Sequence, residues 1–293
     1  MSAWTEFKNG FLYTSYKGIE GVQHGGGTEA GPENNFGEVL IHHTTNSNEM
    51  QFLTWKLHLP ELPTVFGIDL SITKHVVMIW IAALLVFIVF KYGMKWEGML
   101  PKNKLTSLFE PIVLFVRNEI VYINFGKAGK PFVPFFLTVF FFILFTNLLG
   151  LVPFMSTATG NINVTATLAF MSLILIQFAG MIKNGFFQHW KNIIPSGVPL
   201  PLIPILIPVE LMGMLAKPFA LCIRLFANMT AGHIVIFAFL GLIILLKSVF
   251  ISFVTVPLAI AISALELFIA FLQAYIFTFL TSLFVSMTYH PSH

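Results

Sequence analysis

Charge is what this sequence has least of: Asp, Glu, Lys and Arg together make up 10% of its 293 residues. A soluble domain of this size has about a quarter of its residues charged, so a soluble catalytic role is excluded. Cysteine is scarcer still. The single Cys222 forbids an internal disulfide or a cysteine-based metal cluster, and its apolar neighbours suit a packing role. The first residues, MSAWTEFKNG, lack a basic segment leading into an apolar core, so no cleavable signal peptide is expected. The GGG at 25–27 has no Lys-Ser or Lys-Thr behind it, so it does not read as a phosphate-cradling loop. Histidines 24, 42, 43, 58, 75, 189, 290 and 293 show no ligand spacing. No metal, cofactor or nucleic acid is expected, and no internal repeat is visible.

What the chain does have is apolar length. Hydrophobic residues are 56% of the total, with 33 phenylalanines, and the mean hydropathy is +0.83. The fold class that follows is all-α, a polytopic membrane protein. Runs near 20 apolar residues, enough to cross about 30 Å of hydrocarbon, predict spans at about 73–91, 132–154 and 164–182. Two longer segments follow, 207–246 and 249–289. Forty helical residues reach about 60 Å, so these two are expected to be strongly tilted and to form a hairpin, with bends at Pro218 and Pro257. Prolines 195, 199, 201, 204 and 208 forbid regular helix between them, which sets the start of the fourth segment at Pro208. Residues 73–289 thus form a membrane domain, and 92–130 a cytoplasmic connection with a surface-lying amphipathic helix at about 105–122.

Orientation comes from the basic residues. Residues 1–72 hold Lys8, Lys17 and Lys56 against Glu6, Glu20, Glu29, Glu33, Glu38, Glu49, Glu61 and Asp69. Residues 91–130 hold Lys91, Lys95, Lys102, Lys104, Arg117, Lys127 and Lys130 against three acids, Glu97, Glu110 and Glu119. The positive-inside rule keeps the second segment in the cytoplasm and exports the first, so the N-terminus lies outside.

Few charges interrupt the fourth segment. Arginine at mid-bilayer costs about 2.5 to 3.5 kcal/mol on insertion scales and usually marks function; Arg224 cannot shed its proton to avoid that cost. Glu210, Lys217 and Arg224 are spaced by seven, and each step drifts only about 20° round a helix, so they share a stripe that Asn228 extends. His233, nine residues beyond Arg224, falls on the opposite side, giving one helix two polar faces for two neighbours. In the last segment Glu266 is the only charged residue between Ser248 and Tyr289, with Gln273 seven residues on. An antiparallel hairpin with Gln273 at the height of Arg224 brings Glu266 beside His233. Plainer roles compete: Lys247 as a snorkelling anchor, Glu210 answering a helix N-terminus, His233 as a core histidine, Arg224 as structural glue.

KPFALCIRLFANMTAGH at 217–233 and LELFIAFLQAYIFTFL at 265–280 resemble the signature segments of the membrane a subunit of F-type ATP synthases. TNLLGLVP at 146–153 and TGNINVTATLA at 159–169 resemble that family's central hairpin. The resemblance covers about residues 73–289. It implies a non-catalytic stator subunit of the proton-translocating Fo sector in the bacterial inner membrane. Its partners would be a c-subunit ring, b-type peripheral stalk subunits, indirectly the soluble F1 sector, and the lipid bilayer. Two half-channels would carry protons to and from ring carboxylates, with Arg224 as the barrier between them and Asn228 and Gln273 as polar partners. Where the family often has glutamate and histidine, this chain has His233 and Glu266, the two exchanged. The pair is expected to form a relay in the outer half-channel with Asn161, Asn163 and Thr165 at its entrance, while Glu210 and Lys217 line the inner one. The rival classes are an ion channel or secondary transporter, which inverted repeats would favour, and a haem- or quinone-binding subunit, which paired membrane histidines would favour.

Overall fold

The computed structural model describes residues 49–52, 55–58, 73–93, 96–97, 100–101, 104–152, 157–191, 203–246 and 249–289. Most of residues 1–72, for which export is expected, Lys247, and prolines 195, 199 and 201 lie outside the described residues. The chain divides into two compact units, residues 1–74 with 234–260, and residues 75–233 with 261–293. In the first, β1 (Glu49–Phe52) and β2 (Trp55–His58) form an antiparallel ribbon with Glu49 opposite His58.

Among the described residues, five helical stretches are long and apolar enough to span a bilayer, which makes this a multi-pass integral membrane protein. Helix α1 (Lys74–Ile88) continues as a π-helical turn, Val89–Gly93. Its Met78, Ala82 and Val86, spaced by four, are buried, while Trp80, Leu84 and Phe87 face outward. A small ribbon, β3 (Trp96–Glu97) with β4 (Leu100–Pro101), precedes the next helix.

Helix α2 (Lys104–Phe115) passes into a π-helical segment, Val116–Tyr122, and a turn at Ile123–Phe125. Gly126, at φ 59°, then breaks the run, a conformation that suits glycine. After a 3₁₀ stretch, α3 (Val133–Gly150) begins. The amphipathic segment expected at 105–122 is helical, and Val116, Ile120 and Val121 on it are fully buried in the protein.

Helix α4 (Ile162–Asn184) is capped by Asn161, whose side chain accepts the Asn163 N–H at 2.9 Å. Its Thr165, Ala169, Ser172, Ile176 and Ala179 face inward at three- and four-residue spacing. Gly185, at φ 83°, turns the chain into the short α5 (Phe186–Lys191). Helices α6 (Ile203–Leu246) and α7 (Val249–Tyr289) complete the order. The start expected at Pro208 is corrected to Ile203. Pro204 sits in the first turn, where its missing N–H would have had no partner anyway, so the helix can begin before Pro208. Glu210 is therefore past the first turn, and its reading as a helix-start carboxylate falls away.

Between membrane helices lipid is as apolar as leucine, so packing and hydrogen bonds must supply the cohesion. In the second unit the core centres on Phe141, whose ring meets Phe90, Phe109 and Phe140 edge-on at 5.3, 5.7 and 5.5 Å. A polar seam reinforces it. Asn124 Nδ2 donates to the Ile120 carbonyl at 2.8 Å and to Ser282 Oγ at 3.2 Å, and Ser286 Oγ donates to the Asn124 carbonyl. Thr138, Thr146, Thr167, Thr278 and Thr288 each return the hydroxyl to a carbonyl four residues back, which keeps it satisfied within its own helix.

Candidate site in the membrane

The site is built from the parts of α6 and α7 that lie in the second unit, together with the end of α3. On α6 the buried residues Leu221, Cys222, Leu225 and Met229 fix which side packs inward. Ala220, Ile223, Arg224, Ala227 and Ala231 consequently face out. Arg224 is exposed and makes no hydrogen bond or ion pair with any described residue. Among the described residues it therefore ties no neighbour to α6. Small neighbours at 220, 227 and 231 leave the guanidinium standing clear on an otherwise smooth face.

Helix α7 runs antiparallel beside this part of α6. Asn228 Nδ2 donates to Gln273 Oε1 at 3.1 Å, and His233 Nδ1 lies 3.5 Å from Glu266 Oε1. The spacing argument thus brings His233 and Glu266 together as expected, while Gln273 meets Asn228 one turn beyond Arg224. The expectation of two neighbours for two polar faces is modified. One helix, α7, takes both Asn228 and His233, because both side chains reach round to it, and the end of α3 takes the far side of the histidine ring.

His233 is enclosed by oxygen. Its Nε2 lies 2.9 Å from the Gly150 carbonyl and 2.9 Å from Thr157 Oγ1, and its Nδ1 lies 3.0 Å from the Met229 carbonyl. The His233 and Glu266 side chains are 22% and 6% exposed, and Glu266 Oε1 has no hydrogen-bond partner among the described residues. Glycines carve the space. A Cβ at Gly232 would collide with the Glu266 carboxylate, and one at Gly150 would come within 2.6 Å of Thr157 Oγ1.

Asn147 pins α3 to α7. It is fully buried, accepts the Thr159 hydroxyl at 2.8 Å and donates to the Ala270 carbonyl at 3.4 Å, between Glu266 and Gln273. Asn147, Gly150, Thr157, Thr159 and Gly232 were not among the sequence candidates. Their signal was present in part, since TNLLGLVP places an asparagine and a glycine inside a span without charge.

The remaining candidates sit elsewhere. Asn161 is a helix cap, Asn163 is exposed, and Thr165 is buried with its hydroxyl on the Ile162 carbonyl and 3.4 Å from Cys222 Sγ. None of the three touches His233 or Glu266. Glu210 is exposed, and the Lys217 ammonium lies 5.0 Å from the centre of the Phe284 ring. One group the sequence passed over lies near this stripe. His189 of α5 is buried against Gly180, its Nε2 lies 2.8 Å from Gln177 Oε1, and Gln177 Nε2 reaches Met214 Sδ at 2.6 Å. Burial pushes the His189 imidazole below its usual range. Among the described residues no three His, Cys, Asp or Glu side chains converge as metal ligands do.

The family described as ATP synthase A chain matches residues 76–286. The chain is 44% identical over 257 residues to ATP synthase subunit a 2 of Chlorobium luteolum, covering 86% of this chain and 75% of that protein. It is 48% identical over 241 residues to ATP synthase subunit a of Myxococcus xanthus, covering 80% and 79%. With ATP synthase subunit a of an Anaeromyxobacter species it shares 42% identity over 309 residues, covering 93% and 76%.

Proposed function

The chain belongs to the ATP synthase A chain family, and on that premise we propose that it is the stator subunit of a proton-translocating Fo sector. It carries no catalytic site of its own. It offers two half-channels to a ring of c subunits, is held by b-type peripheral stalk subunits, and is coupled through the ring to the soluble F1 sector. It resides in a bacterial inner membrane with residues 1–72 outside and 92–130 in the cytoplasm, and its long α6 and α7 lie tilted against the ring.

The observation that carries this reading is the solitary guanidinium. Arg224 stands exposed on a small-residue face of a 44-residue apolar helix without an ion pair among the described residues. A permanent cation at that depth favours the ionised form of any carboxylate brought to it, and hence release of that carboxylate's proton. It also prevents a proton from passing directly between the half-channels. Asn228 and Gln273 beside it supply neutral polarity without neutralising the charge. His233 and Glu266 form a relay in the outer half-channel, with Asn161, Asn163 and Thr165 toward its mouth. Glu210 and Lys217 line the inner one.

ATP-driven acidification of inverted membrane vesicles tests the proposal. Arg224→Ala is expected to abolish pumping, by at least about a hundredfold, as expected when a transition-state charge partner is removed. Pumping at the parent rate would refute it.

A further inference from the structure

Thr157 differs from the helical threonines. It lies in extended backbone outside any helix, φ −76° and ψ 103°, where the return of a hydroxyl to the preceding helical turn does not apply. Its Oγ1 instead donates to the Gly150 carbonyl at 3.4 Å and stands 2.9 Å from His233 Nε2. The Gly150 carbonyl, 2.9 Å from Nε2, can only accept, so it calls for a hydrogen on Nε2; against that N–H the Thr157 oxygen is an acceptor, and its own hydrogen is left for Gly150. His233 Nε2 therefore faces two acceptors, Thr157 Oγ1 and the Gly150 carbonyl, and can satisfy them only by carrying a hydrogen. On the other side of the ring Nδ1 faces the Met229 carbonyl at 3.0 Å and Glu266 Oε1 at 3.5 Å.

The geometry points to Thr157 as a positioning residue that, with the Gly150 carbonyl, pins a hydrogen on His233 Nε2 and leaves Nδ1 as the nitrogen that exchanges a proton with Glu266. Which imidazole nitrogen is protonated is set by the bond its other nitrogen makes, and here that bond is built by the Gly150–Thr157 cradle. The exchange moves one proton: the Nδ1–H bond breaks, an O–H bond forms on Glu266 Oε1, and a cation and an anion become two neutral groups. The reverse step restores them. Glu266 Oε1 has no competing hydrogen-bond donor among the described residues, so it is free to accept. Among them Glu266 is also the one titratable group in contact with the ring; Gly150, Met229 and Thr157 present a carbonyl, a carbonyl and a hydroxyl. Space for this arrangement depends on glycine at 150, since a Cβ there would occupy the place of the Thr157 side chain.

This inference rests on the His233–Glu266 relay, and its test separates the two. The pH profile of ATP-driven pumping is measured in vesicles carrying the assembled complex with Thr157→Val, Thr157→Ser, His233→Gln or Glu266→Gln. Thr157→Val is expected to slow pumping about fivefold, the scale of one hydrogen bond, and to displace the profile toward acid, because the doubly protonated ring loses an acceptor. Thr157→Ser should return the profile to its parent position, which a role in packing alone would not do. Should Thr157→Val fail to assemble, Thr157→Ala removes the same hydroxyl without added bulk. A parent-like profile in the hydroxyl-free variant, with pumping lost in His233→Gln and Glu266→Gln, would overturn the role of Thr157 and leave the relay standing. Parent-like pumping in those two glutamine variants would overturn the relay and this inference with it.

Discussion

Arg224 and His233 lie nine residues apart on one helix and are handled in opposite ways. Arg224 stands exposed with no partner among the described residues, whereas His233 is enclosed by two carbonyls, a hydroxyl and a carboxylate. A buried ion pair contributes little net stability, yet removing one partner of it costs about 3 to 5 kcal/mol. The enclosed pair is thus committed to its own chain. The lone arginine has no such commitment and is available to a group brought from outside. One helix thus carries both an enclosed pair and an exposed cation.

The strongest way to break this comparison is to exchange the enclosed pair. His233→Glu and Glu266→His singly should each lower ATP-driven pumping at least about tenfold, as buried like-type groups are left unpaired. The combined exchange should recover much of the loss, since one acid and one imidazole again share the site. Equal loss in the double and single variants would mean that the two residues do not act together.

A smaller effect is expected from the space around them. Gly232→Ala places a methyl group into the Glu266 carboxylate, and overpacking of this kind costs about 1 to 3 kcal/mol. Thermal denaturation of the detergent-solubilised complex should show the loss in Gly232→Ala but not in Ala231→Ser, one residue round on the exposed side. A Gly232→Ala complex as stable as the parent would show that Glu266 is not held where the comparison requires.

The smallest effect lies with His189, outside the spans. Its folded-state pKa is lowered by burial, so the unfolded chain binds a proton first as pH falls through about 6.5. The neutral imidazole carries no penalty above that range, and stability declines below it. Melting temperature should therefore fall between about pH 7.5 and pH 5.5 less steeply in His189→Asn than in the parent; identical slopes would remove His189 from the acid response.

Much of this was legible in advance. Apolar run length pointed to the long apolar helices, because hydrocarbon thickness is a fixed ruler, and the spacing by seven of Glu210, Lys217 and Arg224 singled out one stripe of α6. The meeting of His233 with Glu266 followed from helix rise alone. The start of α6 was misplaced because proline is tolerated in a first turn. Thr157, Gly150 and Gly232 stayed hidden for a different reason: their importance lies in a carbonyl, a hydroxyl direction and absent Cβ atoms. Such features acquire meaning only when α3, α6 and α7 are brought together. Asn161 caps α4, and since a cap and a channel polar group look alike in sequence, the cap was not legible there.

The central claim is that the face bearing Arg224 meets a moving carboxylate. Disulfide cross-linking tests it in a Cys222→Ser background, with a cysteine placed one turn from the ring carboxylate. Ala227→Cys lies within about 60° of Arg224 round the helix and Phe219→Cys about 140° away, both exposed. The account predicts a cross-link from Ala227→Cys and none from Phe219→Cys. A cross-link from Phe219→Cys with none from Ala227→Cys would contradict it.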